Sequence, residues 1–142
     1  MKINIKALTQ QAVMPTYSTS GAGCFDICAS QSLSVVQLTC RSVPTSLAFE
    51  IPPGHVMLVY SRSGHGFRDG VSLVNSVGVI DSDYRGELLI GVRNAGAKVF
   101  HVHQGDRIAQ AMIIPIPAVT FAWADQLGNT GRSDGGFGST GA

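Results

Sequence analysis

The chain has 142 residues, of which 44% are apolar and 13% are charged, and its formal net charge is +1. This length suits one domain with a real core, and the shortage of charge suggests that some apolar surface is covered by other subunits. The near-neutral charge, without a basic stripe, argues against nucleic acid as a partner. Since no stretch approaches the about 20 apolar residues of a membrane span, we expect no membrane partner either.

The cysteines are Cys24, Cys28 and Cys40. An odd number, together with an N-terminus that lacks the apolar region of a signal peptide, argues for a reducing compartment, and we expect a cytoplasmic protein. Cys24 and Cys28 could be half of a metal site, but no histidine pair completes it. We therefore interpret the cysteines as buried small apolar residues.

Short segments with a two-residue hydrophobic period recur along the chain, separated by turn sequences such as PPG, RDG and QGD. Short strands at this spacing favour an all-β sandwich or barrel. Little helix is expected: one turn is predicted after Arg62, although Gly64 and Gly66 weaken it. The predicted strands are Lys2–Leu8, Ser34–Cys40, Ser46–Ile51, His55–Ser61, Val71–Val74, Glu87–Asn94, Val99–His103, Ile108–Ile116 and Val119–Ala124.

The chain divides by composition into a core, residues 1–126, and a C-terminal arm, residues 127–142. The arm reads LGNTGRSDGGFGSTGA, and so much glycine cannot pack a core, so we expect it to be flexible when no ligand is bound. It nevertheless contains an arginine, an aromatic residue and hydroxyls. That mixture could close over a phosphorylated base, although the segment lacks the spacing of a P-loop.

The most informative segment is Gly78–Leu88, GVIDSDYRGEL, which predicts a β-hairpin with a tight acidic turn. Asp81 and Asp83 could simply shape that turn. Alternatively, Asp81 lies beside a reactive water as a general base, and Tyr84 offers its ring face to a sugar.

Three other segments contain polar groups suited to a phosphate ligand. SRSGHG, residues 61–66, offers a guanidinium, a hydroxyl and backbone N–H groups, although serine-glycine turns are common. In GDRIAQAMI, residues 105–113, Gln110 could donate to a phosphate, whereas we favour a structural ion pair for Arg107. In GAGCFDICA, residues 21–29, Asp26 stands in an apolar setting and needs a partner: a cation, a hydrated metal or a neighbouring subunit's arginine.

In their order along the chain, these five segments resemble the five motifs of the trimeric dUTPase family. The resemblance extends from about Lys2 to Gly141. The resemblance implies a distorted jelly-roll β-barrel and a homotrimer with active sites at the subunit interfaces. It also implies Mg²⁺-dependent hydrolysis of dUTP to dUMP and pyrophosphate, with water attacking the α-phosphorus. This reaction limits uracil incorporation into DNA and supplies dUMP.

The resemblance further implies a role for each site residue. Asp81 would activate the water, Tyr84 would stack on the deoxyribose and exclude a 2′-OH, and Asp26 would hold a water on Mg²⁺. The first motif, AGCFD, is one residue longer than the common form, and Ser61 replaces the usual proline, which should change local stiffness. The implied substrate-binding residues are Arg62, Ser63, Gly64 and Gln110 at the α and β phosphates, Asn75 and the backbone from Gly78 at the uracil, Arg132, Ser139 and Thr140 at the γ-phosphate, and Phe137 stacked over the uracil.

Other functions stay open at this point. A dCTP deaminase on the same fold would need an additional acid/base group at the amino carbon of the pyrimidine. A nucleotide-responsive regulatory protein could retain the site, but all five motifs keep their reactive residues, which argues against binding alone. A purely structural jelly-roll subunit would leave the composition of the arm unexplained.

Overall fold

The computed structural model describes residues 1–139 and 141, which form eleven strands and one helix. The mostly β class predicted from the alternating segments is therefore confirmed. The elements in chain order are β1 (Asn4–Ala7), β2 (Phe25–Cys28), β3 (Leu33–Val35), β4 (Cys40–Pro44), β5 (Leu47–Glu50), β6 (His55–Tyr60), α1 (Ser63–Asp69), β7 (Val71–Leu73), β8 (Val77–Ile80), β9 (Leu89–Asn94), β10 (Phe100–Val102) and β11 (Arg107–Pro115).

The described strands form four antiparallel sheets that surround one apolar core. The largest sheet has the order β2-β11-β6-β8, a second has the order β4-β9-β7, and β1-β5 and β10-β3 form two pairs. Each sheet remains open, so these strands do not close into a single barrel. Side chains from all four sheets meet in one buried cluster, whose largest fully buried members are Ile27, Val35, Val43, Leu47, Ile51, Met57 and Val102.

Two strands escaped the sequence pattern, and one predicted strand is absent. Every residue of β2 except Cys28 is buried, so it lacks the alternation that reveals a half-buried strand. In β4, an edge strand, the proline falls at the strand end, where no ladder bond is lost. The predicted strand Val119–Ala124 is wrong, because those residues are exposed and pair with no described strand.

The cysteine prediction is partly wrong. Cys40 is exposed because it begins the edge strand β4, while Cys24 and Cys28 are half-buried. All three thiols are unpaired.

The helix α1 has seven residues instead of the single predicted turn. Gly70 ends it in the left-handed conformation, φ 67°, which glycine adopts without strain. Arg62 stands at its N-cap without a side-chain capping bond, and no residue of α1 is buried. Within the described residues no helix is long and apolar enough to cross a membrane.

The hairpin prediction for residues 78–88 is wrong. Strand β8 pairs with β6, whereas β9 pairs with β4 and β7, so the acidic segment connects two different sheets. The connection is held by its own polar groups: the Tyr84 hydroxyl donates to the Glu87 carbonyl oxygen at 2.9 Å. The Glu87 carboxylate accepts from the Ser46 N–H at 2.7 Å, which fastens the connection beside β5.

The chain beyond β11 is exposed almost throughout. After Pro115 every described residue except Gly135 is exposed, including Phe121 and Trp123, which are 95% and 104% accessible. Two such large apolar side chains left in water indicate a surface that another molecule covers.

Candidate active site

Asp26 is the centre of a polar cluster at one end of the largest sheet. Strand β2 holds it beside Gln110 of β11, and its side chain is directed toward two arginines. Its Oδ1 lies 3.3 Å from Arg62 Nε, and its Oδ2 lies 3.1 Å from Arg107 Nη1. The Ser18 hydroxyl donates to the same Oδ2 at 2.6 Å. The partners of Asp26, left open by the sequence, are therefore two arginines and a serine of its own chain.

This environment keeps Asp26 ionised. Burial, at 9% exposure, would raise the pKa of its carboxyl, but the Ser18 hydroxyl and the guanidinium groups of Arg107 and Arg62 outweigh it and lower the pKa below the ordinary value. Burial, followed by the charge of Asp26, raises the pKa of the Cys24 and Cys28 thiols. Both cysteines therefore stay protonated and unreactive at neutral pH.

The segments SRSGHG, residues 61–66, and GDRIAQAMI, residues 105–113, meet in the same cluster. Arg62 Nη1 donates to the Arg107 carbonyl oxygen at 3.1 Å, and Gln110 Nε2 donates to the Ser61 carbonyl oxygen at 2.9 Å. Ser63 follows Arg62 and is exposed at the start of α1, as is Gly64. The structure thus brings together the residues that the sequence assigns to the α and β phosphates.

Arg107 is the residue that the list of implied site residues lacks. The structural ion pair favoured for it is confirmed by its contact with Asp26. The charge in GDRIAQ was a visible signal, but spacing along the chain does not reveal that β2 and β11 are neighbours.

A second group forms around the turn between β7 and β8. A Cβ added at Gly78 would lie 3.2 Å from Val59 Cβ and 3.5 Å from Asn75 Nδ2, so only glycine leaves the backbone there unobstructed. Asn75 and Gly78 line a crevice of about 40 Å³. Asp81 and Tyr84 line a neighbouring cavity of about 210 Å³. The two cavities share the lining residues Ile80, Leu88 and Leu89.

Asp81 differs from Asp26 in having no partner. It is exposed, and within residues 1–139 and 141 its side chain forms neither a hydrogen bond nor an ion pair. Its backbone carbonyl accepts from the Tyr84 N–H at 3.2 Å, which closes the turn between the two residues. The carboxylate is therefore free to accept a proton from a water molecule.

The two groups lie far apart within one chain. Tyr60 of β6 pairs with Gln110 on one side and with Val77 on the other, so the row that starts at Asp26 reaches β8 at Val77. Asp81 lies four residues further along, which is about 13 Å at the rise of a strand. The three strand spacings from β2 to β8 add about 14 Å across the sheet.

The arm residues join neither group. Arg132 Nε donates to the Gly135 carbonyl oxygen at 2.8 Å within a local turn, and Phe137 is 113% accessible. No hydrogen bond or ion pair of the described residues joins Arg132 or Ser139 to Asp26 or Asp81. Thr140 lies outside the described residues.

The donor set fits a metal that is held through water. The described residues contain no group of three or more His, Cys, Asp or Glu side chains that could cage an ion. Asp26 Oδ1 has one arginine contact, which leaves a carboxylate oxygen with acceptor capacity for a further hydrogen bond. Since Mg²⁺ keeps several of its waters, a carboxylate can hold the ion by accepting a hydrogen bond from one of those waters.

Comparisons with known proteins identify the family of this chain. The dUTPase family model matches residues 10–141. The deoxyuridine 5′-triphosphate nucleotidohydrolase of Desulfitobacterium hafniense is 48% identical over 131 residues, covering 90% of this chain and 87% of that protein. The corresponding protein of a Hydrogenobaculum species is 41% identical over 142 residues, covering 99% of each.

Solved structures show the same fold. A mutant of the Staphylococcus bacteriophage 80alpha dUTPase with dUpNHpp matches with a TM-score of 0.93 and 23% identity, covering 99% of each chain. A mutant dUTPase of phage phi11 of S. aureus, whose structure concerns the coordination of a structural Mg(II) ion, matches with a TM-score of 0.83 and 22% identity, covering 89% of this chain and 98% of that one. These likenesses support the predicted jelly-roll-like fold.

Proposed function

This chain belongs to the dUTPase family, and from that premise we propose that it is a dUTP diphosphatase that releases dUMP and pyrophosphate. One observation supports the placement of the reaction: Asn75, Gly78, Asp81 and Tyr84 converge on two adjoining cavities. The Asp81 carboxylate there is exposed and has no hydrogen-bond or ion-pair partner among the described residues. The reaction would supply dUMP and, by removing dUTP, limit the incorporation of uracil into DNA.

Asp81 acts as the general base in this proposal. It accepts a proton from a water molecule whose oxygen attacks the α-phosphorus, and the bond from that phosphorus to the oxygen bridging to the β-phosphorus breaks. Pyrophosphate carries away the electron pair of that bond. A general base must lie within about 3 Å of the proton it removes or act through one water, so the α-phosphate has to lie beside Asp81.

The crevice beside Asp81 selects the nucleoside. Asn75 and the backbone from Gly78 to Asp83 read the hydrogen-bonding edge of uracil, and Tyr84 lies against the deoxyribose where a 2′-OH would need space. Cytosine presents the opposite donor and acceptor pattern at two ring positions. Each buried group left unpaired costs about 1–3 kcal/mol, which is sufficient to reject it.

The phosphates are held by residues of another protomer. Arg62, Ser63, Gly64 and Gln110 gather at the Tyr60 end of β6, whereas Asp81 lies beyond the Met57 end. A separation of about 13 Å along the strands and, from Gln110 on β11 to β8, about 10 Å across them is too large for one nucleotide to bring its α-phosphate to both within one chain. We therefore place each site between subunits of a homotrimer.

Exposed apolar side chains support this assembly. Val79 of β8 and Leu89 of β9, beside the Asp81 connection, are 60% and 52% accessible in the isolated chain. Together with the exposed Phe121 and Trp123, they provide apolar surface for contacts between protomers.

Mg²⁺ fits the same proposal through Asp26. The Oδ1 atom of Asp26 would accept a hydrogen bond from a metal-bound water, while Arg62 and Arg107 hold the carboxylate in place. When bound, Mg²⁺ supplies positive charge that offsets the repulsion between the triphosphate and an attacking water.

The C-terminal arm completes the site. We assign residues 1–126 to the core and residues 127–142 to an arm that closes over bound nucleotide. Arg132, Ser139 and Thr140 bind the γ-phosphate, and Phe137 stacks over the uracil. Nearly all described arm residues are exposed, and no hydrogen bond or ion pair joins them to Asp26 or Asp81, which is consistent with an open state before closure.

A pyrophosphate-release assay tests the proposal. With Mg²⁺, the purified chain is expected to hydrolyse dUTP and to leave UTP, dTTP and dCTP almost unhydrolysed. Its mass by light scattering is expected to be that of three chains. Ammonia release from dCTP would indicate the deaminase instead. Nucleotide binding without pyrophosphate release would indicate a regulatory protein.

A further inference from the structure

The anchorage of α1 is unusual for a helix beside a candidate site. It has seven residues, two of them glycine, and none is buried, so neither helix propensity nor an apolar face holds it in place. Phe67, the only large apolar side chain of α1, is 95% accessible. Only His65 and Asp69 of the helix are partly buried.

His65 makes the contacts that fasten the helix. Its Nε2 lies 2.9 Å from the Arg107 carbonyl oxygen at the start of β11, and its Nδ1 lies 3.2 Å from Asp69 Oδ2. Its ring also meets Phe100 of β10 edge to face, with the centroids 5.1 Å apart. One side chain therefore connects α1 to both β10 and β11.

Both nitrogen contacts of His65 are acceptors. A carbonyl oxygen and a carboxylate can only receive hydrogen bonds, and a ring protonated at both nitrogens donates to each, whereas a neutral ring donates to one. The other charged groups facing this pair are Arg68, which donates to Asp69 at 3.0 Å, and Arg62, which donates to the Arg107 carbonyl that His65 also contacts.

These contacts connect the helix to the polar cluster. The Arg107 carbonyl oxygen contacts both the Arg62 guanidinium and the His65 ring. The side chains of Arg107 and Arg62 both form ion pairs with Asp26. We propose that His65 is a positioning residue of the phosphate-binding segment: by joining α1 to the Arg107 backbone, it fixes Ser63 and Gly64 relative to Asp26 and the two arginines. This inference rests on the proposed function of that segment.

Two substitutions separate the polar contacts from the shape of the ring. His65→Phe keeps an aromatic ring for the edge contact with Phe100 and removes both polar contacts. His65→Gln keeps an N–H donor for the Arg107 carbonyl. His65→Phe loses both polar contacts but touches no reacting group, so we expect it to raise KM for dUTP about threefold to tenfold with kcat nearly unchanged. His65→Gln should recover most of the wild-type KM.

Amide hydrogen exchange of residues 64–70 gives a readout that does not depend on activity. His65→Phe should accelerate this exchange, whereas the control Phe67→Ala, on the same helix but exposed, should neither accelerate it nor change KM. Unchanged exchange in His65→Phe would overturn the proposal, and so would faster exchange with wild-type KM. Should the wild-type chain release no pyrophosphate from dUTP, the proposed function fails, while exchange still decides whether His65 fixes the segment.

Discussion

Asp26 and Asp81 occupy opposite environments: Asp26 lies in one edge strand of the largest sheet, and Asp81 follows the other edge strand. Asp26 is 9% exposed and contacts Arg62, Arg107 and Ser18, so its own chain completes its surroundings. Asp81 is exposed, and no described side chain approaches it with a hydrogen bond or an ion pair. The carboxylate held by two arginines and a serine is fixed in place, while the one without a described partner is suited to taking a proton.

This contrast also fits the proposal that each site is shared between protomers. In that proposal the cluster around Asp26 supplies phosphate-binding groups without a base, and the connection that contains Asp81 supplies a base without phosphate-binding groups. The two are complementary only if different protomers supply them. We therefore expect a substitution at Asp81 to act on chemistry and one at Asp26 to lower stability as well.

The largest effect is expected from Asp81→Asn. Loss of the base should lower kcat about 10²- to 10⁴-fold, because the asparagine amide cannot accept the proton of the water. Binding of a non-hydrolysable dUTP analogue, measured by calorimetry, should be almost unchanged. Asp83→Asn, in the same connection, is the matched control and should keep kcat near wild type. Normal pyrophosphate release by Asp81→Asn would remove the assigned base.

A smaller but still large effect is expected from deletion of residues 131–142. The open site would lose Arg132 and Phe137, and kcat/KM for dUTP should fall about 100-fold, because the triphosphate is no longer held in the reactive geometry. The mass measured by light scattering should stay that of a trimer. A shortened chain that dissociates into monomers would show instead that the arm builds the assembly.

Much of the contrast could be predicted from the sequence, but not all of it. Asp81 and Tyr84 stand within one contiguous segment, so their proximity follows from the chain itself. The strands with an alternating sequence, such as β1 within INIKAL and β10 within KVFHVH, were also visible. The pairing of Asp26 with Arg107 was not, because it depends on β2 lying beside β11, and β2 has no alternating pattern to reveal it.

The predicted hairpin failed for a related reason. A turn sequence between two strands specifies that the chain reverses, but pairing depends on which neighbours bury each face. Here β8 pairs with β6, and β9 pairs with β4 and β7. The anchoring role of His65 was equally hidden, since its partner Arg107 lies 42 residues away in sequence.

Asp26→Asn tests the closed side of the comparison. It leaves Arg62 and Arg107 side by side without their shared carboxylate, and the free energy of unfolding at pH 7 should fall by about 1–3 kcal/mol, after allowance for the partly exposed arginines. Urea unfolding measures this loss. Asp125→Asn, in the exposed C-terminal segment, should leave stability unchanged.

The pH dependence of that loss gives a further check. The pKa of Asp26 is lowered in the folded chain, so its contribution is fully present above the unfolded value of about 3.9 and disappears as pH falls through the folded value. Wild type and Asp26→Asn should therefore converge in stability below about pH 4. A constant difference down to pH 2 would contradict the ion-pair explanation.

The smallest effect is expected from Gly78→Ala, which tests the open side. The new methyl would lie 3.2 Å from Val59 Cβ and 3.5 Å from Asn75 Nδ2, so it tightens one contact and narrows the crevice. Overpacking by one methyl should cost about 1 kcal/mol of stability. If the crevice reads the base, KM for dUTP should rise about threefold to tenfold while kcat changes less. Gly21→Ala, where an added Cβ meets no atom within 4 Å, is the control and should change neither quantity. A lower melting temperature with wild-type KM would mean that Gly78 serves packing alone, and the uracil would then have to bind elsewhere along the Asp81 connection.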